Sequence, residues 1–142
     1  MFSKYPLHIE QQKDGSFFID LPGIEGVTEG ATMKEAIAEG LHCLITILRG
    51  YIQNREDIPP APIIKPGQPV AILPPLMVVK LGLYQAMKDQ GVTRVELAKQ
   101  LGASENTVRR MLDLDHKSHI GSIVEALSIL DKQVTVEVID VI

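Results

Sequence analysis

The chain contains no tryptophan, and only three tyrosines and three phenylalanines stand among its 142 residues. Any core must therefore be built from Leu, Ile, Val and Met rather than from large rings. A single cysteine, Cys43, excludes a disulfide within one chain and suits a reducing compartment. It falls inside an apolar helical pattern, where a thiol behaves as a small buried hydrophobe. No apolar run approaches the length that crosses a bilayer, and no basic, apolar, cleavable start precedes the first strand pattern. The expectation is a cytoplasmic protein with no membrane partner.

Positive charge is scarce in the first half. Residues 1–74 hold six Lys/Arg against nine Asp/Glu, while residues 75–132 hold eight against seven. The formal net charge of −4 thus sits outside the second half's main body, and the last ten residues add two acids. An acidic first half suits a basic partner better than a nucleic acid, although solubility alone accounts for an excess this small. The length fits one ordinary domain or two small ones.

The strongest local pattern runs from Thr93 to Leu112, TRVELAKQLGASENTVRRML. Thr93 and Glu96 form a capping box that opens a short helix with Leu97, Ala98 and Leu101 on one face. Gly102 turns a left-handed corner without steric cost, and Ser104 caps a second helix whose Val108, Met111 and Leu112 face inward. Small Ala98 permits close helix approach. The outer side of the second helix is left with Asn106, Thr107, Arg109 and Arg110, a face rich in donors. This pattern is that of a DNA-reading helix–turn–helix. Candidate DNA-binding residues are Thr93, Arg94, Ser104, Glu105, Asn106, Thr107, Arg109 and Arg110.

Before this motif, residues 4–11 read as a strand, with Pro6 favouring an edge, and Asp14-Gly15 signals a hairpin turn. Ser16 to Leu21 returns with Phe17, Ile19 and Leu21 on one face, and Ile24 to Glu29 supplies a third strand. Thr32 to Glu35 is another capping box. It opens a helix to about Ile52 with Ile37, Leu41, Leu44, Ile45, Leu48 and Ile52 as its apolar stripe, weakened by Gly40 and Gly50. Residues 57–69 hold five of the nine prolines, and Val70 to Leu73 then returns a fourth strand to the same sheet. The expected fold class is α+β: a β-β-β-α-β domain over 1–74, then an all-α helix–turn–helix domain with a C-terminal strand over 75–142. In the second domain Leu76 to Gln90 and Ile120 to Leu130 are helices, the latter with Ile123, Val124, Leu127 and Leu130 inward. The final strand, Gln133 to Ile142, needs a mate. A second copy of the chain is the simplest, giving a homodimer or higher even oligomer; the edge of the first sheet is the competing choice.

The order of these features resembles the HicB antitoxin pattern. It is carried by Asp14-Gly15, Phe17-Phe18, Pro22-Gly23, Gly30, the Thr32 to Ala36 cap, the proline-rich linker and a helix–turn–helix similar to the Xre/Cro type. The resemblance implies a partial RNase-H-like first domain that binds a small, basic, mRNA-cleaving HicA-type toxin. It also implies a second domain that binds operator DNA in the operon's own promoter. Asp20, Glu25 and Glu29 are the candidate toxin-binding residues.

An RNase-H-like fold raises the question of nuclease chemistry, which needs convergent carboxylates around metal ions. Glu10, Asp14, Asp20 and Glu25 are the candidates, but Asp14 is committed to a turn and nothing in the spacing converges the rest. His116 and His119 lack a second ligand pair for zinc and read as polar loop residues near phosphate. No nucleophilic triad or phosphate-cradling glycine loop is present, so no catalytic residue, metal or cofactor is expected. The alternative reading is a ligand-responsive helix–turn–helix regulator without a toxin partner.

Overall fold

In a computed structural model describing residues 2–140, the chain is α+β and divides into two compact units, Met1–Val78 and Val79–Ile142. The division falls within the first turn of a helix that begins at Pro75.

The first unit holds strands β1 (Lys4–Pro6), β2 (His8–Gln11), β3 (Phe17–Leu21) and β4 (Gly26–Gly30), helix α1 (Met33–Gln53), and strand β5 (Val70–Ile72). The Asp14-Gly15 turn fixes the β2–β3 register, pairing Gln11 with Phe17 and His8 with Asp20. Asp14 stabilises that turn by accepting from the Ser16 amide and hydroxyl at 2.9 and 2.6 Å. β4 extends the antiparallel ladder, with Phe18 opposite Glu29 and Asp20 opposite Val27.

The strands of the first unit depart from the sequence pattern at two points. The single strand expected over residues 4–11 is broken at Leu7 into β1 and β2. The returning β5 joins β1 in a separate two-stranded ladder rather than the three-stranded β2–β3–β4 sheet. Pro6 has no amide proton to donate, and the Leu7 amide turns away to bond the Pro69 carbonyl at 2.8 Å. The proline-rich segment is therefore attached to the unit: Ile58 is buried, and the Tyr5 hydroxyl donates to the Pro59 carbonyl at 2.9 Å.

Helix α1 begins where the capping box places it. Thr32 Oγ1 accepts from the Glu35 amide at 3.1 Å, and the Glu35 carboxylate accepts from the Ala31 amide at 3.2 Å. The helix packs on β3, β4 and β5. Its fully buried line is Ala36, Gly40, Leu44 and Leu48, whereas Ile37, Leu41, Ile45 and Ile52 are only half-buried flanks. The small residues explain this rotation of the buried face. A Cβ on Gly40 would lie 3.1 Å from the Leu7 methyls, and one on Gly30 would lie 2.6 Å from the Ala36 amide nitrogen. Gly40, which lowers intrinsic helix propensity, is thus the point where α1 comes down onto Leu7.

Burial pushes the Tyr5 phenol up to about 12. The unfolded chain ionises this group near its ordinary value of 10.0, so between the two values only the folded state keeps the proton. Stability is therefore lost as pH rises through that window, by about 2–3 kcal/mol for a two-unit shift. Tyr5→Phe should flatten this alkaline fall in urea titrations of the first unit. An equally steep fall in the variant would place its origin elsewhere.

The second unit takes α2 (Pro75–Gln90) from Val79 onward, with α3 (Arg94–Leu101), α4 (Glu105–Leu112) and α5 (Ile120–Ile129). Its core joins Leu81, Leu83, Leu97, Val108 and Ile123, all fully buried. Gln90 Nε2 donates to the Leu130 carbonyl at 2.8 Å, tying the end of α2 to the end of α5. Ile123, Leu127 and Leu130 are buried as the spacing predicts, but Val124 is exposed, because Ala126 fills the inward position instead. The expected strand over Gln133 to Ile142 is not formed among the described residues. Residues 132–140 carry no strand ladder, and residues 141–142 lie outside the described residues. A strand is held by its neighbour's hydrogen bonds, and the described ladders involve only β1 to β5. Val136 and Val138 are left 74 % and 94 % exposed.

Candidate functional site

Each unit presents one surface with the chemistry of recognition. In the second unit it is the outer side of the α3–α4 pair. Thr93 Oγ1 caps α3 by accepting from the Glu96 amide at 3.1 Å, and Ser104 Oγ caps α4 by accepting from the Thr107 amide at 3.1 Å. Between the helices Gly102 takes the left-handed conformation, with φ of 66°, and its amide closes the end of α3 on Ala98 and Lys99. Buried Ala98, Val108 and Met111 hold the pair together from below.

Of the candidate DNA-binding residues, Thr93, Ser104, Glu105, Asn106, Arg109 and Arg110 are exposed, while Arg94 and Thr107 are half-buried. Thr93 and Ser104 are committed first to capping, and Ser104 Oγ also lies 2.9 Å from Thr107 Oγ1. Arg109 Nη2 donates to Asn106 Oδ1 one turn away, so these two side chains are linked on the outer face of α4. The Asn106 amide NH₂ and the remaining guanidinium protons are the groups that match base edges and phosphates.

Lys80 was not singled out from the sequence. It lies in α2 and is fully buried, with its ammonium donating to the Arg110 carbonyl at 2.8 Å, the Asp113 carbonyl at 2.6 Å and Ser118 Oγ at 2.9 Å. Burial lowers its pKa, and the Asp113 and Asp115 carboxylates oppose that shift. The signal was a lone cation within the apolar run MVVKLGL. His116 Nδ1 lies 2.9 Å from the same Ser118 hydroxyl, and His119 is the residue preceding α5.

In the first unit the surface is the side of the β2–β3–β4 sheet whose residues alternate with buried Ile19 and Leu21. Register places His8, Asp20 and Val27 in one row and Glu10, Phe18 and Glu29 in the next. Asp20 and Glu29, both candidates for toxin contact, therefore share one face, and Glu10 joins them. Glu25 does not sit on the ladder: it occupies the turn before β4, with φ of 60°. Sequence reasoning missed the apolar members of the face, Phe18 and Val27, which are 37 % and 63 % exposed. Their signal was simple alternation, readable once the Asp14-Gly15 turn fixes register. Of the four carboxylates weighed for nuclease chemistry, Asp14 lies in the hairpin turn, Glu25 in the next turn, and Glu10 is 3.0 Å from His8. No group of three or more His, Cys, Asp or Glu among the described residues is placed to hold a metal ion. No helix among them is long and apolar enough to cross a membrane.

These features define an α+β chain with an acidic, partly apolar sheet face in one unit and a donor-rich helix pair in the other. Comparison with known proteins gives the family. The chain is 31% identical over 137 residues to antitoxin HicB 1 of Photorhabdus laumondii, covering 95% of this chain and 86% of that protein. It is 29% identical to antitoxin HicB of Pseudomonas fluorescens, over 95% of this chain and 93% of that protein. It is 28% identical to antitoxin HicB of Escherichia coli, over 93% and 96%. No protein-family model matches the chain. The chain belongs to the HicB antitoxin family.

Proposed function

We propose that this chain is an antitoxin that binds and neutralises a small HicA-type mRNA-cleaving toxin and represses its own operon by sequence-specific DNA binding. The observation that carries the DNA-binding half is the capped α3–α4 pair with Asn106, Arg109 and Arg110 exposed on α4, which we read as an Xre/Cro-type helix–turn–helix. Asn pairs bidentately with adenine and Arg with guanine, while Thr93, Arg94 and the amides at the start of α4 suit phosphate. Ser104, Glu105 and Thr107 complete the contact surface at the N-terminal turn of α4. The toxin-binding half rests on the family and on the sheet face of Asp20 and Glu29, with Glu25 at its edge. Carboxylates around exposed Phe18 and Val27 offer a basic protein both charge and apolar area. The purified chain should retard DNA from upstream of its own gene in preference to unrelated DNA, and should co-purify with the toxin encoded beside it. Equal affinity for both DNAs would remove the repressor role; failure to hold the toxin would remove the antitoxin role.

A single α4 covers one half-site, and helices of this kind read palindromes about one DNA turn apart. The tail is the device that fixes such spacing. Val134, Val136 and Val138 alternate with Thr135, Glu137 and Ile139, and Val136 and Val138 are exposed among the described residues. An antiparallel ribbon with the same strand of a second copy satisfies the backbone and buries this apolar edge. Deleting residues 133–142 should convert the homodimer, or higher even oligomer, to monomer in light scattering and abolish palindrome binding. A dimer that persists contradicts this role.

A further inference from the structure

We propose that Lys80 is a positioning residue for DNA reading: its buried ammonium fixes the C-terminal end of α4 and the following loop. The inference rests on the DNA-binding reading above. A fully buried lysine is costly, and an apolar residue of similar length would fill the space more cheaply. What Lys80 alone supplies is three donors, and all three are used. Two go to backbone carbonyls at the end of α4, where i→i+4 amides run out and the helix dipole favours a cation; the Arg110 carbonyl accepts there from the Asp113 amide at 3.2 Å as well as from Lys80. The third goes to the Ser118 hydroxyl across the loop.

The consequence falls on Arg109 and Arg110, which occupy the last turn of α4. An eight-residue helix is marginal by itself, and its final turn is the part that frays. Anchoring the Arg110 carbonyl directly, and the Asp113 carbonyl one turn beyond, holds both arginines in one orientation. The loop closes on the same point. Asp113 Oδ1 accepts from the Asp115 amide at 3.0 Å, the Asp113 carbonyl also accepts from the His116 amide at 3.2 Å, and the Ser118 hydroxyl meets both Lys80 and His116. The exposed end of the reading helix is thereby set from the core of the unit.

The test compares operator DNA from upstream of the gene with an unrelated fragment of equal length, using the full chain. Ser118→Ala removes one of the three acceptors, together with the hydroxyl's own 3.4 Å contact to the Arg110 carbonyl, without stranding a charge, and should weaken operator binding about fivefold, the worth of one hydrogen bond. Ser118→Thr, which keeps the hydroxyl, should restore it. Lys80→Met should weaken operator binding more than Ser118→Ala does. In each case affinity for unrelated DNA should stay unchanged, because phosphate attraction does not depend on the aim of α4. If Lys80→Met fails to fold, the Ser118 pair decides. Unchanged operator affinity in Ser118→Ala, an equal fall on both DNAs, or no recovery in Ser118→Thr would overturn the inference. An unaltered chain that does not distinguish the two DNAs would overturn the DNA-binding reading itself, and this inference with it.

Discussion

Replacing Arg109 and Arg110 together with Ala should abolish operator binding while leaving toxin neutralisation intact. Both side chains are exposed on α4, and among the described residues neither has an acidic partner in an ion pair. Their removal therefore costs the fold little, whereas each lost base pairing removes about 1–3 kcal/mol of discrimination. Two such losses amount to a fall of at least about thirtyfold in operator affinity. If one arginine contacts phosphate instead, the affinity still falls, and the salt dependence becomes shallower by about one unit in slope. Gel retardation against the operator, repeated at two salt concentrations, reads both effects. An affinity equal to that of the unaltered chain would remove α4 from the interface.

Residues 1–74 alone should rescue cells from toxin-induced growth arrest. The core of this part closes on itself: α1 covers β3, β4 and β5, and the proline-rich segment is fastened through Tyr5 and Leu7. The face carrying Glu10, Phe18, Asp20, Val27 and Glu29 is built from β2, β3 and β4. Co-expression of this fragment with the toxin should restore growth to the level given by the full chain. Reversing Asp20 and Glu29 to Lys in the fragment should return the arrest, because a basic partner then meets like charge. Arrest that continues with a folded, soluble fragment would assign neutralisation to residues outside it.

The features legible in the sequence were those decided within a few residues. The caps Thr32, Thr93 and Ser104, the hairpin at Asp14 and the left-handed Gly102 each depend on neighbours in the chain, and each stands where expected. Helix periodicity also located Leu44 and Leu48. What it missed depended on distant partners. The break at Leu7 is set by the Pro69 carbonyl, and the buried line of α1 is set by close approach at Gly30 and Gly40. Lys80 was passed over because its three acceptors lie thirty or more positions away in the chain. The tail illustrates the same limit: its alternation reads as a strand, but a strand requires a mate that the described chain does not supply. In the candidate sites, residue type and helical face were readable, while the company of Asp20 and Glu29 depended on strand register.

Under the function proposed above, this chain silences an RNA-cleaving partner by binding it. The most direct test is an RNA-cleavage assay with the purified neighbouring toxin, into which the full chain is titrated. Cleavage should fall in proportion to added chain and cease once every toxin molecule is bound, in the absence of any DNA. Undiminished cleavage at excess chain, with the toxin shown to be active and the chain folded, would contradict it.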